Sequence, residues 1–176
     1  MSSRRTLWVL LLVFFGPLLL ASVLYYTSAW RPRGHTNHGT LIDPPRPLTG
    51  AVWHGKWSMV YVGAGACDER CQHTLLYMRQ THLALGRLYT RAQRVFLETA
   101  PCCNATFAHD YPDLIRMDAT PAAMQPLLQQ FPAGGRPTAI FIVDPRGNLM
   151  MQFDSASPPG GLIDDFQHLL GLSSIG

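Results

Sequence analysis

Charged residues are scarce in this chain. They make up 14% of its 176 residues, the formal net charge is only +3, and Lys56 is the single lysine. This balance excludes a strongly basic nucleic-acid-binding protein. A hydrophobic content of 47% excludes an intrinsically disordered chain. The length suits one domain with a tail, and four cysteines are enough for one reactive or metal-binding site but not for a disulfide-dense scaffold.

Several catalytic signatures are also missing from the sequence. It contains no nucleotide-binding glycine loop, no zinc-protease helix motif and no serine-elbow motif. Internal repeats and low-complexity tracts are absent as well. The cysteines therefore become the first candidates for function.

Much of the hydrophobic content lies in one uncharged run, residues 7–26. Twenty such residues in a helix span about 30 Å, which matches the hydrocarbon core of a bilayer. Trp8 and Trp30 suit the two interfaces, and Arg4 and Arg5 favour a cytoplasmic N-terminus. We therefore predict an uncleaved transmembrane anchor. A cleaved signal peptide is the alternative, and both interpretations export the rest of the chain.

The sequence divides into three parts. Residues 1–30 form a cytoplasmic tip and transmembrane anchor, residues 31–50 a linker with an extended lead-in, and residues 51–176 the globular domain. We expect a single-pass protein of a bacterial-type inner membrane, in contact with the lipid bilayer, whose C-terminal domain faces the periplasm or the equivalent exported side. The exported part is nearly neutral, so no nucleic-acid partner is expected. Its compartment would be oxidising, which permits disulfides.

The hydrophobic pattern of the globular part predicts an α/β domain. Apolar runs predict strands and helically spaced apolar residues predict helices. The predicted strands are 56–63, 94–98, 114–117, 138–143 and 149–153, and the predicted helices are 71–90, 121–131 and 161–170. Turn residues between the last two strands predict a β-hairpin. A β-α-β start with a later hairpin gives a thioredoxin-like mixed sheet flanked by helices.

The most informative segment runs from the first of these strands into a helix. Two cysteines, Cys67 and Cys71, stand four residues apart at that helix start. This spacing puts both on one helix face, where the two sulfurs can form a disulfide or hold one soft metal ion. The helix N-terminus would stabilise a thiolate, whereas Asp68 and Glu69 oppose that effect. Structural cysteines without turnover remain the alternative.

A second group of candidates follows the next strand. Cys102, Cys103 and His109 should lie at the same sheet edge as the first pair, because the carboxyl ends of parallel strands meet there. Since a disulfide between neighbours is strained, we expect Cys102 and Cys103 to be free thiols, extra soft ligands or resolving thiols, with inert thiols as the alternative. His109 is a candidate imidazole ligand or an ordinary surface histidine.

A third candidate feature precedes the strand at 138–143. Pro137 is a candidate cis-proline, and in a thioredoxin-like topology its turn faces the cysteine pair. Arg136 would then place a positive charge near a thiolate or near an acidic partner.

Together, the anchor, the extended lead-in and the strand, glycine, CxxxC and helix unit resemble the Sco/SenC family. This resemblance covers roughly residues 40–172 and implies a membrane-anchored thioredoxin fold that assists copper delivery to cytochrome c oxidase. It implies that Cys67 and Cys71 are copper ligands or a redox pair. The chain would be a divergent member, because Gly135, Arg136 and Pro137 stand where the family has a histidine ligand. His109, or Cys102 with Cys103, could replace that ligand.

Three functions follow from the sequence. The first is copper handling, thiol redox chemistry or both during assembly of a respiratory cytochrome oxidase, with an oxidase subunit or another copper protein as partner. The second is a thiol–disulfide oxidoreductase of thioredoxin type that uses no copper. The third is a non-catalytic, membrane-tethered interaction domain whose cysteines only brace the fold.

Overall fold

A computed structural model describes residues 3–27, 37–49, 53, 55–63, 67–102 and 105–175. The chain divides into two units, Met1–Thr36 and Asn37–Gly176. The first part of the predicted linker, residues 31–36, and its last residue, 50, lie outside the described residues.

The first unit contains helix α1, Ser3–Thr27. Within it, Arg4–Tyr26 is long and apolar enough to cross a membrane. Its large apolar side chains are exposed, as Phe14 illustrates at 72%. The predicted N-terminal apolar helix is confirmed.

The second unit is a six-stranded mixed sheet with helices. Its elements, in chain order, are β1 Thr40–Pro47, β2 Trp57–Gly63, α2 Glu69–Ala84, a 3-10 turn Gly86–Arg91, β3 Ala92–Glu98, α3 Ala105–Asp110, β4 Leu114–Asp118, a 3-10 turn Ala122–Met124, α4 Gln125–Gln130, a 3-10 turn Ala133–Gly135, β5 Ala139–Val143, β6 Asn148–Asp154 and α5 Pro159–Leu172. The strand order is β1-β6-β5-β2-β3-β4. Strands β2, β3 and β4 are parallel, while β5, β6 and β1 pair in antiparallel fashion. The predicted thioredoxin-like α/β fold is confirmed.

Strand β2 is central and buried on both faces, which explains its uninterrupted apolar sequence. Met59 and Tyr61 belong to the core on one face of the sheet, together with Phe166 of α5. Val60 and Val62 belong to the core on the other face, together with Leu128 of α4. Side chains that alternate along a strand therefore fill two separate cores.

The hairpin of β5 and β6 forms where the turn residues predicted it. The Asp144 Oδ1 atom accepts hydrogen bonds from the Arg146 N–H at 2.9 Å and the Asn148 N–H at 2.7 Å. Gly147 has a φ of 88°, a conformation that favours glycine. These local interactions stabilise the turn.

Three elements differ from the predictions. The helix predicted at 71–90 ends at Ala84, because Gly86 takes a φ of 55° and a 3-10 turn follows. The extended lead-in predicted within residues 31–50 is strand β1, whose pairing with β6 is irregular between Leu41 and Arg46, where Pro44 and Pro45 lie. Prolines are tolerated there because β1 is an edge strand. Helix α3 was not predicted.

Candidate functional site

The carboxyl ends of three parallel strands meet at one edge of the sheet. Gly63 at the end of β2 is in register with Glu98 of β3, which is in register with Asp118 of β4. The backbone N–H of Thr99 donates to the Gly63 carbonyl at 3.1 Å. The segments that follow β2 and β3 therefore start side by side, as the sequence predicted.

A disulfide joins Cys67 and Cys71 just above this edge. Their Cα atoms are 5.1 Å apart, and helix α2 begins between them at Glu69. Asp68 is the N-cap, and its Oδ1 atom accepts a hydrogen bond from the Cys71 N–H at 2.9 Å. The cap satisfies one of the free donors at the helix start and fixes the conformation of the CxxxC segment.

The two sulfur-bearing residues differ in exposure. Cys71 is buried, with 4% of its surface exposed, and belongs to the core cluster beneath α2. Cys67 is half-buried at the edge of that cluster, and its carbonyl accepts a hydrogen bond from the Gln72 side chain at 3.3 Å. An incoming partner can therefore approach Cys67 more readily than Cys71.

Gly63 stands where β2 leads into this segment and leaves room for an aromatic ring. A Cβ atom at Gly63 would lie 2.8 Å from Cζ of Phe96, which is fully buried. The Phe96 ring stacks on Tyr61, with ring centroids 5.6 Å apart. Both rings belong to the same core cluster as Cys71.

Tyr61 connects this core cluster to the turn before β5. Its hydroxyl donates to the Pro137 carbonyl at 3.4 Å. Burial raises the pKa of Tyr61, Asp68 raises it further, and Arg70 partly opposes this shift. The phenol therefore stays neutral and remains a hydrogen-bond donor beside the CxxxC segment.

The bond between Arg136 and Pro137 is trans, so the predicted cis-proline is wrong. Within the described residues, the cis peptide bond is the one between Asp43 and Pro44. Residues 132–138 instead fold as successive tight turns, in which the Gly135 and Thr138 N–H groups donate three residues back. Thr138 still lies across a groove from Asp68. The turn thus faces the cysteine segment without a cis bond.

Arg136 has its guanidinium group occupied elsewhere. Its Nε and Nη2 atoms donate to the Phe131 carbonyl at 3.2 and 3.0 Å. These bonds hold the turn against the end of α4. The structure assigns Arg136 this bracing contact, in place of the predicted charge near a thiolate.

A second structured loop, after β3, is organised by an arginine that sequence reasoning missed. The Arg116 guanidinium forms a two-point ion pair with Glu98, which is 9% exposed, and its Nη2 atom also donates to the Cys102 carbonyl at 3.1 Å. Hydrogen bonding to Glu98 raises the pKa of Arg116. The Phe107 ring lies 5.3 Å from the same guanidinium. A charged residue near the end of each apolar strand, Glu98 and Arg116, was the available signal.

Cys102 is disulfide-bonded in this structure, so the expectation of a free thiol is wrong for it. It packs against the same core cluster as Cys67. Cys103 lies outside the described residues. Both described segments that carry cysteines therefore border one core, in an oxidised state.

His109 lies exposed in the last turn of α3. Among the residues that the structure describes, no group of three or more His, Cys, Asp or Glu side chains is close enough together to hold a metal ion. His109 therefore does not complete a three-ligand site with Cys67 and Cys71, and that expectation is not met.

Comparison with protein families identifies the domain. A family model described as the transmembrane-like, thioredoxin-like, C-terminal domain matches residues 57–173. The chain belongs to this family. A comparison with curated proteins found no match.

Solved structures share the thioredoxin-like fold of this family at low sequence identity. Yeast Sco1 with copper bound is 14% identical, with a TM-score of 0.57, and the match covers 80% of this chain and 96% of that chain. BsSco, described as a Sco-family cytochrome c oxidase assembly protein with a disulfide switch, is 13% identical with a TM-score of 0.51, and the match covers 79% and 98%. A DsbF homologue from Corynebacterium diphtheriae is 14% identical with a TM-score of 0.51, covering 79% and 96%. The resemblance to Sco proteins is thereby confirmed at the level of the fold.

Proposed function

We propose that the protein is a membrane-anchored, Sco-like thiol–disulfide oxidoreductase that acts on the cysteines of a copper protein, such as a cytochrome oxidase subunit, during its assembly. One observation carries this proposal. The Cys67–Cys71 disulfide lies at the capped N-terminus of α2, with one half-buried and one buried cysteine. This asymmetry suits an attacking thiol and a resolving thiol.

The reduced protein would transfer two electrons to a partner. The Cys67 thiolate attacks a sulfur of the partner disulfide, which releases one partner thiolate and leaves a mixed disulfide. Cys71 then attacks Sγ of Cys67, which forms the intramolecular disulfide and releases the second partner thiolate. The two partner sulfurs are thereby reduced and take up two protons, while Cys67 and Cys71 are oxidised.

Helix α1 would anchor the domain that carries out this chemistry to a membrane. An apolar helix at the N-terminus would hold the domain at the surface of a bacterial-type inner membrane, on the periplasmic or equivalent exported side. Disulfides persist in that compartment, which agrees with the oxidised Cys67–Cys71 and Cys102. Once reduced, Cys102 and Cys103 would act as auxiliary thiols that resolve a disulfide formed at Cys67 or Cys71.

A redox titration of the full-length chain in detergent tests the exchange activity. We expect Cys67 and Cys71 to interconvert reversibly between dithiol and disulfide across glutathione buffers, as measured by thiol alkylation and mass spectrometry. The Cys67→Ser, Cys71→Ser double variant is the control. A couple that stays oxidised at every glutathione ratio would indicate a bracing disulfide and would support the non-catalytic interaction domain instead.

Copper handling is the second candidate, and the chemistry of the pair supports it. Reduction of the disulfide gives two thiolates, which are ligands that Cu(I) prefers. The copper-bound state of yeast Sco1, on the same fold, also favours it. Copper would here be a cargo that Cys67 and Cys71 hold between them. The absence of a nearby third His, Cys, Asp or Glu ligand among the described residues favours weak, transferable binding.

Copper titration of the reduced chain distinguishes the two candidates. We expect one Cu(I) to bind per chain, and both Cys67→Ser and Cys71→Ser to abolish binding. The His109→Ala variant should bind as the unaltered chain does. No stoichiometric binding would leave thiol–disulfide exchange as the function.

A further inference from the structure

A groove opens along the CxxxC segment, beside residues 68–70. It has a volume of about 770 Å³ and separates the first turn of α2 from the segment that follows β6. Residues lining it include Asp68, Glu69, Arg70, His73, Thr138 and Asp154. Three of them, residues 68–70, are the residues between the two cysteines. A partner whose sulfur reaches Cys67 would place its neighbouring residues beside this groove, because residues 68–70 directly follow Cys67.

Carboxylates dominate the charge of the groove. Three carboxylates, Asp68, Glu69 and Asp154, line it together with one arginine, Arg70. Within the described parts of the chain, none of these three carboxylates lies within ion-pair distance of a basic side chain. Asp68 and Asp154 accept hydrogen bonds from backbone N–H groups, those of Cys71 and Ala156, each at 2.9 Å. The groove therefore carries excess negative charge that the domain itself does not neutralise.

We infer that this groove docks an extended segment of the partner protein that carries a lysine or arginine next to the cysteine being exchanged. The inference rests on the proposed exchange at Cys67 and names the class of partner for it. A basic side chain placed between Asp154 and Glu69 would meet two unpaired carboxylates. An acidic side chain in the same place would be repelled by both.

The effect should appear mainly in the rate of encounter. Charges at the rim of a site steer oppositely charged partners and raise association rates, and this effect falls as salt screens the field. The Debye length shortens from about 30 Å at 0.01 M salt to about 3 Å at 1 M. Salt dependence therefore separates charge recognition from shape or hydrophobic recognition.

Three matched peptides test the inference on the reduced full-length chain in a neutral detergent. Each peptide contains one internal disulfide, and the residues flanking one cysteine are Lys, Ser or Glu. We expect the Lys peptide to be reduced about tenfold faster than the Glu peptide at 0.01 M salt, with the Ser peptide between them. The difference should disappear at 1 M salt. Equal rates for all three peptides at low salt would overturn the inference and leave the exchange activity standing.

The Asp154→Asn variant localises the effect. Asparagine keeps an oxygen that accepts the Ala156 N–H bond and removes one negative charge from the groove. We expect the preference for the Lys peptide over the Glu peptide to fall by about two- to fivefold. Asp164→Asn makes the same charge change at an exposed position on α5, outside the residues that line the groove, and should leave the preference intact. An equal effect of both variants would overturn the assignment to the groove.

Binding without chemistry separates the docking surface from the proposed function. Versions of the peptides with serine in place of cysteine are titrated onto the oxidised chain and followed by fluorescence anisotropy. Tighter binding of the Lys version supports the docking surface even if no peptide disulfide is reduced, an outcome that would overturn the exchange function alone. Binding of Lys and Glu versions with equal affinity would overturn the docking surface.

Discussion

At the residue scale, Asp68 joins the chemistry of the site to the stability of the fold. It lies between the two cysteines and caps α2 through the Cys71 N–H. The bond holds the backbone of the buried cysteine, so the position of Cys71 depends on a side chain three residues before it. Aspartate at an N-cap is favoured for a local reason, and its position here is therefore independent of any partner.

Asp68→Ala should lower the free energy of unfolding by about 1 kcal/mol, because the first turn of α2 loses its cap. Asp68→Asn is the matched variant, since an asparagine oxygen can accept the same bond, and it should cost only a few tenths of that. Urea unfolding of the oxidised chain, followed by tryptophan fluorescence, measures both. Equal stability of the alanine and asparagine variants would contradict the role of the cap.

The residue scale also shows how far the sequence can predict the site. Cys67 and Cys71 were predictable because their spacing is local and places both on one helix face. The hydrogen bond from Arg116 to the Cys102 carbonyl joins residues on two different segments, so no local sequence spacing could predict it. The trans bond at Pro137 depends on the tight turns around it, and a proline before a strand is compatible with either isomer.

At the element scale, the end of α2 is fixed by a buried histidine. The His82 Nε2 atom lies 3.0 Å from the Tyr89 carbonyl and 3.1 Å from the Ala92 carbonyl, so it bridges the helix to the following 3-10 turn and to β3. Its Nδ1 atom is buried without a partner in the described structure. Both observations favour the neutral ring with its proton on Nε2.

Protonation of His82 should therefore weaken the fold. Burial lowers the pKa of His82 below its usual value of 6.5; the hydrogen bond to the Tyr89 carbonyl opposes this shift, and the nearby Arg94 adds to it. Below pH 6.5 the unfolded chain therefore binds a proton at His82 more readily than the folded chain does. The contribution of neutral His82 to the free energy of unfolding is complete above pH 6.5 and is lost as the pH falls below that value.

Unfolding experiments at pH 7.5 and pH 5.5 measure this loss. The unaltered chain should be less stable at pH 5.5, and His82→Gln, which keeps a donor but does not titrate, should show a smaller pH dependence. His73→Gln changes an exposed histidine on the same helix and should leave the pH dependence as it is. An identical pH dependence in His82→Gln and the unaltered chain would contradict this account.

Helix α5 holds the start of the domain through one buried carboxylate. Asp165 is 7% exposed and accepts hydrogen bonds from the His38 and Gly39 N–H groups at 2.8 Å. Gly161, one turn earlier on α5, leaves room for His38, because a Cβ there would lie 2.8 Å from the His38 Cβ. The segment that leads into β1 is thus attached to the last helix of the domain.

Asp165→Ala should lower the free energy of unfolding by about 1–3 kcal/mol, since two backbone donors lose their acceptor. It should also speed proteolytic cleavage near residue 38. Asp164→Ala removes the neighbouring exposed carboxylate and should change stability by less than about 0.5 kcal/mol. Equal effects of the two variants, measured by urea unfolding and limited proteolysis, would contradict the attachment.

Elements were predictable where one physical signal dominates. Strands β2 and β5 are almost entirely apolar, β3 carries the apolar run 95–97 between Arg94 and Glu98, and the hairpin carries its own turn residues. Strand β1 was mostly missed because two prolines interrupt it, and only pairing with β6 shows that it continues. The end of α2 was missed because apolar residues continue at helical spacing beyond Gly86. The helical backbone conformation, however, ends before Gly86, which has a positive φ.

At the scale of the whole molecule, an apolar helix long enough to span a membrane precedes a thioredoxin-like domain along the chain. The apolar helix was predictable from a single uncharged run, and α1 covers that run. Its orientation rests on charge alone, since Arg4 and Arg5 precede the run while Arg31 and Arg33 follow it. Orientation is therefore a separate prediction.

Fusion of reporters to the C-terminus tests that orientation. We expect alkaline phosphatase, which needs an exported location, to be active, and a cytoplasmic fluorescent reporter to stay dark. The full-length chain should remain in membranes after carbonate extraction, whereas a chain lacking residues 1–30 should not. Carbonate release of a shortened chain that lacks α1 would indicate a cleaved signal peptide, and the opposite reporter pattern would contradict the exported domain.

Trapping of mixed disulfides tests the central claim most directly. Full-length chains carrying Cys71→Ser or Cys67→Ser are produced in membranes, alkylated under acid quench, and resolved without reductant. Because Cys67 is the more exposed member of the pair, the account predicts mixed disulfides with a partner for Cys71→Ser and few or none for Cys67→Ser. No trapped partner in either variant, or equal trapping in both, would contradict the assignment of Cys67 as the attacking thiol and Cys71 as the resolving one.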